Sequence, residues 1–221
     1  MTPEGLKNIE TIPNWLDTLA ESLDRNKITS PSFRCNHYLI NCYPTGSGIM
    51  PHTDGPLYHP YVCIISLGSP ILFKFYENNQ KHSEDNFLHS LLIEPGSLLV
   101  FEQDLYTEYL HSILDQEQEG IKIKYRLEKD DEGNFNLERE NVTIDNFILT
   151  KLYKIGIKSL EQCSYCDYQS LEMSLREVES KFENYSFVWK FYENFCYLDL
   201  FVKWNRSERT SLTIRYVKPG N

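Results

Sequence analysis

The feature that most constrains this chain is a succession of short strand-like runs between Phe33 and Glu102, each ended by turn residues. FRCNHYLINCY runs into the turn PTGSG. YVCIISLG and ILFKFYE flank Gly68-Ser69-Pro70, while LHSLLIE and SLLVFE flank Pro95-Gly96 and read as a hairpin. Runs this short cannot bury a face alone, so they must stack as a sandwich, barrel or jelly roll. Ahead of them, Pro13 opens a helix carrying Trp15, Leu16, Leu19 and Leu23 at helical spacing, with Thr11 placed to cap it. ENNQKHSEDN reads as a polar loop.

Residues 115–208 have a different texture. DQEQEGIKIKYRLEKDDEGNFNLERE is charged and reads as a mobile loop or exposed hairpin. SLEMSLREVESKFENY reads as an amphipathic helix, and the aromatic SFVWKFYENFCYLDLFVKW as core packing rather than a base-stacking platform. RTSLTIRYV then alternates as a strand. The 221 residues allow one domain with a large insertion, and no internal repeat is present.

Charge and cysteine usage narrow the function classes. Lys plus Arg number 22 against 32 Asp plus Glu, a net charge of -10. That disfavours broad nucleic-acid binding, which depends on neutralising phosphates, but leaves open a small, locally positive pocket. No run approaches the roughly 18 apolar residues of a membrane span, and the start has no apolar core of a signal peptide. The 6 cysteines are unevenly spread, which predicts reduced thiols in the cytoplasm and nucleus. Cys163-Ser-Tyr-Cys166 is half a zinc motif with no histidine after His111, and reads as two ordinary thiols.

Four elements carry chemistry. Asn41 and Tyr43 end a strand; His52 and Asp54 follow the turn; His111 lies further on; Arg209 and Arg215 sit on the last strand. At spacing two on extended backbone, His52 and Asp54 point to one face and can occupy adjacent coordination positions. With His111 they make two histidines and one carboxylate, the set that leaves open positions on a non-haem Fe(II). Alternation puts Arg209, Ser211, Thr213 and Arg215 on one face. An inward arginine needs an anion, and its planar fork suits a carboxylate. Taken singly, each feature is better explained otherwise: His52 as a loop histidine hydrogen-bonded to Asp54, His111 as a surface histidine, the arginines as the solvated face of an edge strand, and Asn41 and Tyr43 as ordinary strand packing.

Their order does more. LINCYPTGSGIMPHTDGPLYHPYVCIISLGS, EPGSLLVF, YLHSI and RTSLTIRYV resemble the AlkB family of Fe(II)- and 2-oxoglutarate-dependent dioxygenases, most closely its homologue-6 branch, over roughly residues 11–114 and 207–218. The resemblance implies a mainly β fold: a double-stranded β-helix (a cupin-like jelly roll) with a flanking N-terminal helix. A long, α-containing insertion over 115–208 would leave one end, and the jelly roll would not depend on it. It implies Fe(II) on His52, Asp54 and His111, and the distal carboxylate of 2-oxoglutarate on Arg209 and Tyr43. Asn41, Ser211, Thr213 and Arg215 would lie toward the other end of that co-substrate or the substrate. With O2, such enzymes convert 2-oxoglutarate to succinate and CO2 and hydroxylate an N-methyl carbon that leaves as formaldehyde. Only about a dozen residues precede the first helix, where this family carries a strand and a nucleotide-recognition lid; either the lid is missing or the chain is incomplete, and this bears on substrate recognition more than on iron binding.

The leading expectation is a demethylase of alkylated DNA or RNA, with weak non-specific binding. The alternatives are a dioxygenase acting on a protein or small molecule, and a non-catalytic iron-binding interaction protein. The residues do not specify an oligomeric state.

Overall fold

The computed structural model describes residues 11–29, 34–78, 86–193 and 196–218. Most of the expected polar loop 77–86 lies outside them. In chain order the first elements are α1 (Asn14–Arg25), β1 (His37–Tyr43), β2 (Ile49–His52), β3 (Tyr61–Gly68), β4 (Ile71–Glu77), β5 (Phe87–Ile93), β6 (Leu98–Glu102), α2 (Asp104–Thr107) and β7 (Tyr109–Ile113). Then come β8 (Gln118–Lys129), β9 (Phe135–Val142), α3 (Lys158–Glu161), β10 (Ser164–Tyr165), α4 (Tyr168–Ser180), β11 (Tyr185–Tyr192), β12 (Tyr197–Asn205) and β13 (Arg209–Arg215).

Two antiparallel sheets face one another, in the orders β1-β13-β3-β6 and β2-β7-β4-β5. Strands cross from one sheet to the other as the chain proceeds, which makes the two sheets a jelly roll. The fold is therefore mainly β, as the resemblance implies. Between the sheets lie Val62, Ile64, Ile71, Phe73, Phe75, Ile93, Phe101 and Ile113. On the other side of the first sheet, α1 packs Leu16 and Leu23 onto Leu212 and Ile214 of β13. Trp15 departs from that stripe, at 55% exposure, and α1 has no side-chain cap, so Thr11 does not serve as one.

The expected hairpin at Pro95-Gly96 is not formed. β5 pairs with β4 and β6 with β3, so the turn carries the chain from one sheet to the other. Two glycines set the registers that matter. A Cβ at Gly48 would meet the Ile113 carbonyl at 2.1 Å, so only glycine lets β2 lie this close to β7. Gly68, at φ +84°, runs its backbone against Glu208 where β13 begins.

The insertion forms a third sheet, β10-β9-β8-β12-β11. The charged stretch at its start is the β8–β9 hairpin, and it is not an exposed one. Ile121, Ile123, Tyr125 and Leu127 alternate into a core shared with Leu171, Leu175 and Val178 of α4. Asp167 caps α4 by accepting the Ser170 N–H at 2.7 Å, which starts the helix two residues ahead of the expected SLEMSLREVESKFENY. Phe187 and Trp204 join that core as expected, while Tyr197 and Phe201 lie on the opposite face, against Lys124 and Lys122.

The insertion is also rooted in the jelly roll across its second sheet rather than hung from one end. Leu72 and Leu92, facing outward from β4 and β5, belong to the insertion's core. Asn146 pairs with both backbone groups of Leu92, at 3.0 and 2.9 Å, and so occupies the open edge of β5. Glu119 accepts the Leu72 N–H at 2.6 Å. Arg206 donates to the Leu114 carbonyl at 2.7 Å and also to that of Ser47.

Candidate metal and co-substrate site

The β2–β7 pairing sets His52 directly opposite His111, with ring centroids 4.3 Å apart. Asp54 follows two residues beyond β2. The three side chains each bring a ligand atom within 4.8 Å of the others. Among the described residues this is the only group of three or more such side chains.

Each imidazole is prepared differently. Nδ1 of His52 lies 2.8 Å from the Met50 carbonyl. A carbonyl only accepts, so Nδ1 carries the proton and Nε2 keeps its lone pair for a cation. His111 is buried, stacked on Phe73 at 5.5 Å and 15°, with Phe101 at 5.2 Å. Burial, reinforced by His52 and Arg215, pulls its pKa down to about 3, so it stays a neutral donor. Asp54 meets Nη1 of Arg215 at 2.8 Å, and both side chains are nearly buried. The Arg215 guanidinium lies 4.4 Å from the Tyr58 ring centroid. Tyr106 donates to the Gly55 carbonyl at 2.7 Å and fixes the loop just after Asp54.

At the other end of β13 stands Arg209, 1% exposed. Its Nε donates to Ser66 Oγ at 3.0 Å, and its guanidinium lies 5.2 Å from the Tyr43 ring centroid. Its Nη1 is buried with no hydrogen-bond partner among the described residues. Desolvation lowers its pKa, with Tyr43 opposing. A buried cation with a donor unmet is a site short of an anion. Between the arginines, Ser211 and Thr213 are buried and share their inward face, while Asn41 pairs in register with Ser211 and Tyr43 with Arg209.

The structure thus brings His52, Asp54 and His111 together, and sets Arg209 beside Tyr43. Arg215 Nη1 meets Asp54 and orients that carboxylate, while its Nε is buried with no partner among the described residues and remains able to face the co-substrate or substrate side. β13 is also central in its sheet, between β1 and β3, so its polar face is enclosed and the solvated-edge reading fails. Sequence reasoning missed Ser66, Phe73, Phe101 and Tyr58. Only Ser66 left a signal, as a polar residue at an inward position of the apolar run YVCIISLG.

Residues 2–144 match the family model described as 2OG-Fe(II) oxygenase superfamily. That stretch contains His52, Asp54 and His111 and ends before β13. Among curated proteins, "Probable RNA/DNA demethylase ALKBH6" of Danio rerio is 38% identical over 118 residues, covering 50% of each chain. "Uncharacterized protein L905" of Acanthamoeba polyphaga mimivirus is 27% identical over 144 residues, covering 63% of this chain and 65% of that protein. The chain thus spans about half to two thirds the length of these relatives. A solved structure described as "The structure of OsALKBH1" overlays 93% of this chain and 66% of that one, at TM-score 0.42 and 12% identity.

Proposed function

This chain belongs to the 2OG-Fe(II) oxygenase superfamily, and from that premise we propose that it is an AlkB-type dioxygenase that oxidatively removes N-alkyl groups from DNA or RNA. The observation that carries the reading is the pairing of two features in one jelly roll. Three ligand atoms lie within 4.8 Å of one another, and Arg209 is a buried cation with Nη1 unmet. The donor set fits iron: two imidazoles and one carboxylate leave open positions. The unmet guanidinium fits the distal carboxylate of 2-oxoglutarate.

In this reading His52, Asp54 and His111 hold Fe(II), and Arg209 with Tyr43 holds 2-oxoglutarate. When bound, iron and 2-oxoglutarate supply O2 activation coupled to decarboxylation to succinate and CO2. The protein's own residues position and shield. Arg215 fixes the Asp54 carboxylate, and the Met50 carbonyl fixes the His52 ring. Phe73 and Phe101 keep water from His111. Asn41, Ser211 and Thr213, on the face of the sheet that also carries Arg209, would meet the other end of the co-substrate or the substrate.

Support for a nucleic-acid substrate comes from the zebrafish relative, whose description is a probable RNA/DNA demethylase. The net charge of -10 favours a second reading, in which the same chemistry serves a protein or small molecule. We place the enzyme in the cytoplasm and nucleus; its cysteines form no disulfide, and no described helix is long and apolar enough to cross a membrane. We treat 1–221 as one domain with its insertion at 115–208. The test is succinate and formaldehyde release with Fe(II) and 2-oxoglutarate, over methylated DNA, RNA and peptides. Release on methylated oligonucleotides is expected; release on peptides alone overturns the nucleic-acid reading.

A further inference from the structure

Where the insertion meets the jelly roll, the outward faces of β4, β5, β8 and β12 border a groove of about 420 Å³. Lys74, Lys122 and Lys203 line it, with Phe87 and Phe201, and none of its lining residues is acidic. For a chain of net charge -10 this is a local reversal of sign. Gly120, opposite Lys203 in the β8–β12 register, brings no side chain to the floor.

The three lysines are not equally free. Lys122 is tied to Asp199 at 2.7 Å. Among the described residues, neither Lys74 nor Lys203 has a carboxylate within ion-pair distance, although the Lys74 charge acts at longer range on the Glu119 carboxyl. Their neighbours further along β8 are neutralised, Lys124 by Glu140 and Arg126 by Glu138. The surplus of positive charge is therefore confined to the groove end of the sheet. Lys74 Nζ lies 5.5 Å from the Phe87 ring centroid, and Lys122 Nζ 5.4 Å from that of Phe201. Phe87 is 42% exposed. Cations interleaved with partly open aromatic rings suit a strand whose phosphates meet the lysines and whose bases lie on the rings.

The groove is not part of the iron site. Lys74 follows Phe73 and precedes Phe75, two inward residues beside His111, so it stands on the opposite face of the same strand. We propose that this groove is a second nucleic-acid contact, holding the phosphodiester backbone of a single strand away from the reacting base. The proposal rests on the nucleic-acid reading of the iron site. It deepens that reading by giving an acidic protein a place to hold its polymer.

The test uses the full chain and a fluorescent, unmethylated single-stranded 12-nucleotide DNA, titrated across salt concentrations. Lys74→Ala with Lys203→Ala removes two cations without an ion-pair partner among the described residues, one half-buried and one exposed. Affinity should fall roughly tenfold at low salt, and the slope of log K against log salt should drop by about 1.4, near 0.7 per lost phosphate contact. The double arginine variant should restore both, and 2-oxoglutarate affinity should not change in either. Unchanged affinity and slope in the alanine variant overturn the proposal. So does displacement of the DNA by an equal concentration of polyglutamate, which would identify an acidic protein partner instead. The two readings fail separately. If no methylated nucleic acid is turned over but the slope shifts as stated, the demethylase reading falls and the groove stands. If methylated DNA is turned over with the same KM in wild type and alanine variant, the groove alone falls.

Discussion

The jelly roll and the insertion are both antiparallel β-sheet, yet they place their buried polar residues differently. Between the jelly-roll sheets lie His111, Arg209 and Arg215, with serines and a threonine beside a modest set of aliphatic and aromatic side chains. The insertion's main core is built of aliphatic and aromatic side chains, from Ile121 on β8 to Trp204 on β12, and also covers Leu72 and Leu92, while its buried charges, Glu119 and Arg206, sit at its roots on the jelly roll. Desolvated charge weakens a core, whereas dense apolar packing strengthens one. The comparison teaches that the two regions divide the labour: one holds chemistry, the other stabilises the sheet whose inner face carries His111.

The largest effect should come from breaking the polar core. Asp54→Ala removes a ligand and leaves Arg215 buried without its partner. Removing one member of a buried pair destabilises by about 3–5 kcal/mol. Mn(II) binding should weaken more than the roughly 10–100-fold expected when an outer partner is lost, a range that Arg215→Met should itself show. Mn(II) titration and urea unfolding measure the two effects. Wild-type metal affinity in Asp54→Ala would remove the metal-site assignment.

Next comes the apolar core. Leu200 on β12 is fully buried, and Leu200→Ala should cost about 2–5 kcal/mol through lost burial and a cavity. If labour is divided, the 2-oxoglutarate affinity of the molecules that stay folded is unchanged. A parallel fall in that affinity would show the insertion shaping the pocket. This also bears on whether the insertion is dispensable, as the resemblance implied. Glu119 and Arg206, at its two roots, hold the Leu72 N–H and the Leu114 and Ser47 carbonyls. A linker replacing the insertion must therefore spare both roots.

How far these regions were legible follows from the same contrast. The jelly-roll strands carry period-two alternation bounded by glycine and proline, and the ligand types fall in a recognisable order along them. β8 also alternates, as Ile121, Ile123, Tyr125 and Leu127 show, but lysines and glutamates fill its other positions. The charge density hid the buried face. The pairs that make it sense, such as Lys124 with Glu140 at 3.1 Å, exist only across strands. Pro95-Gly96 misled in another way, because a turn within one sheet and a turn between two sheets read alike. Arg215 lay on the correct face, but its partner depends on where the chain goes after β2, and the alternation of β13 says nothing about that.

A pH experiment sharpens the boundary between the regions. Burial raises the Glu119 pKa from 4.5 to about 7, with Arg206 opposing. An acid whose folded pKa stands above its unfolded one binds more protons when folded, so stability falls as pH rises. The contribution is complete below 4.5, declines through the interval, and is lost above about 7, by about 3 kcal/mol. Glu119→Gln can still accept the Leu72 N–H and should abolish that decline. His111 acts in the opposite sense, losing stability as pH falls from 6.5 toward 3, but it is common to both proteins and cancels in their difference. Urea midpoints at about pH 5 and about pH 8 decide the matter: equal pH dependence in both proteins would mean that Glu119 is not the titrating group.

The smallest effect isolates a single anion contact. Arg209 is held by Ser66 through Nε, which leaves the Nη edge of its fork to meet a carboxylate. Arg209→Lys keeps the charge but loses the planar fork and the Ser66 contact together, so the ammonium cannot present two parallel donors. The lost charge-assisted hydrogen bond should weaken 2-oxoglutarate binding by about 1.5–3 kcal/mol. Metal affinity should hardly change, because Arg209 lies at the far end of β13 from the Arg215–Asp54 pair. Arg215→Lys should reduce metal affinity through Asp54 and, because its Nε is buried without a partner among the described residues, should also weaken 2-oxoglutarate binding, but less than Arg209→Lys does. Titrating both variants with 2-oxoglutarate, with Mn(II) in place of iron to block turnover, separates the two arginines. Equal losses of co-substrate affinity would mean that both reach the same carboxylate and that the Asp54 contact yields when 2-oxoglutarate binds. Wild-type affinity in Arg209→Lys would leave the unmet Nη1 without the anion assigned to it.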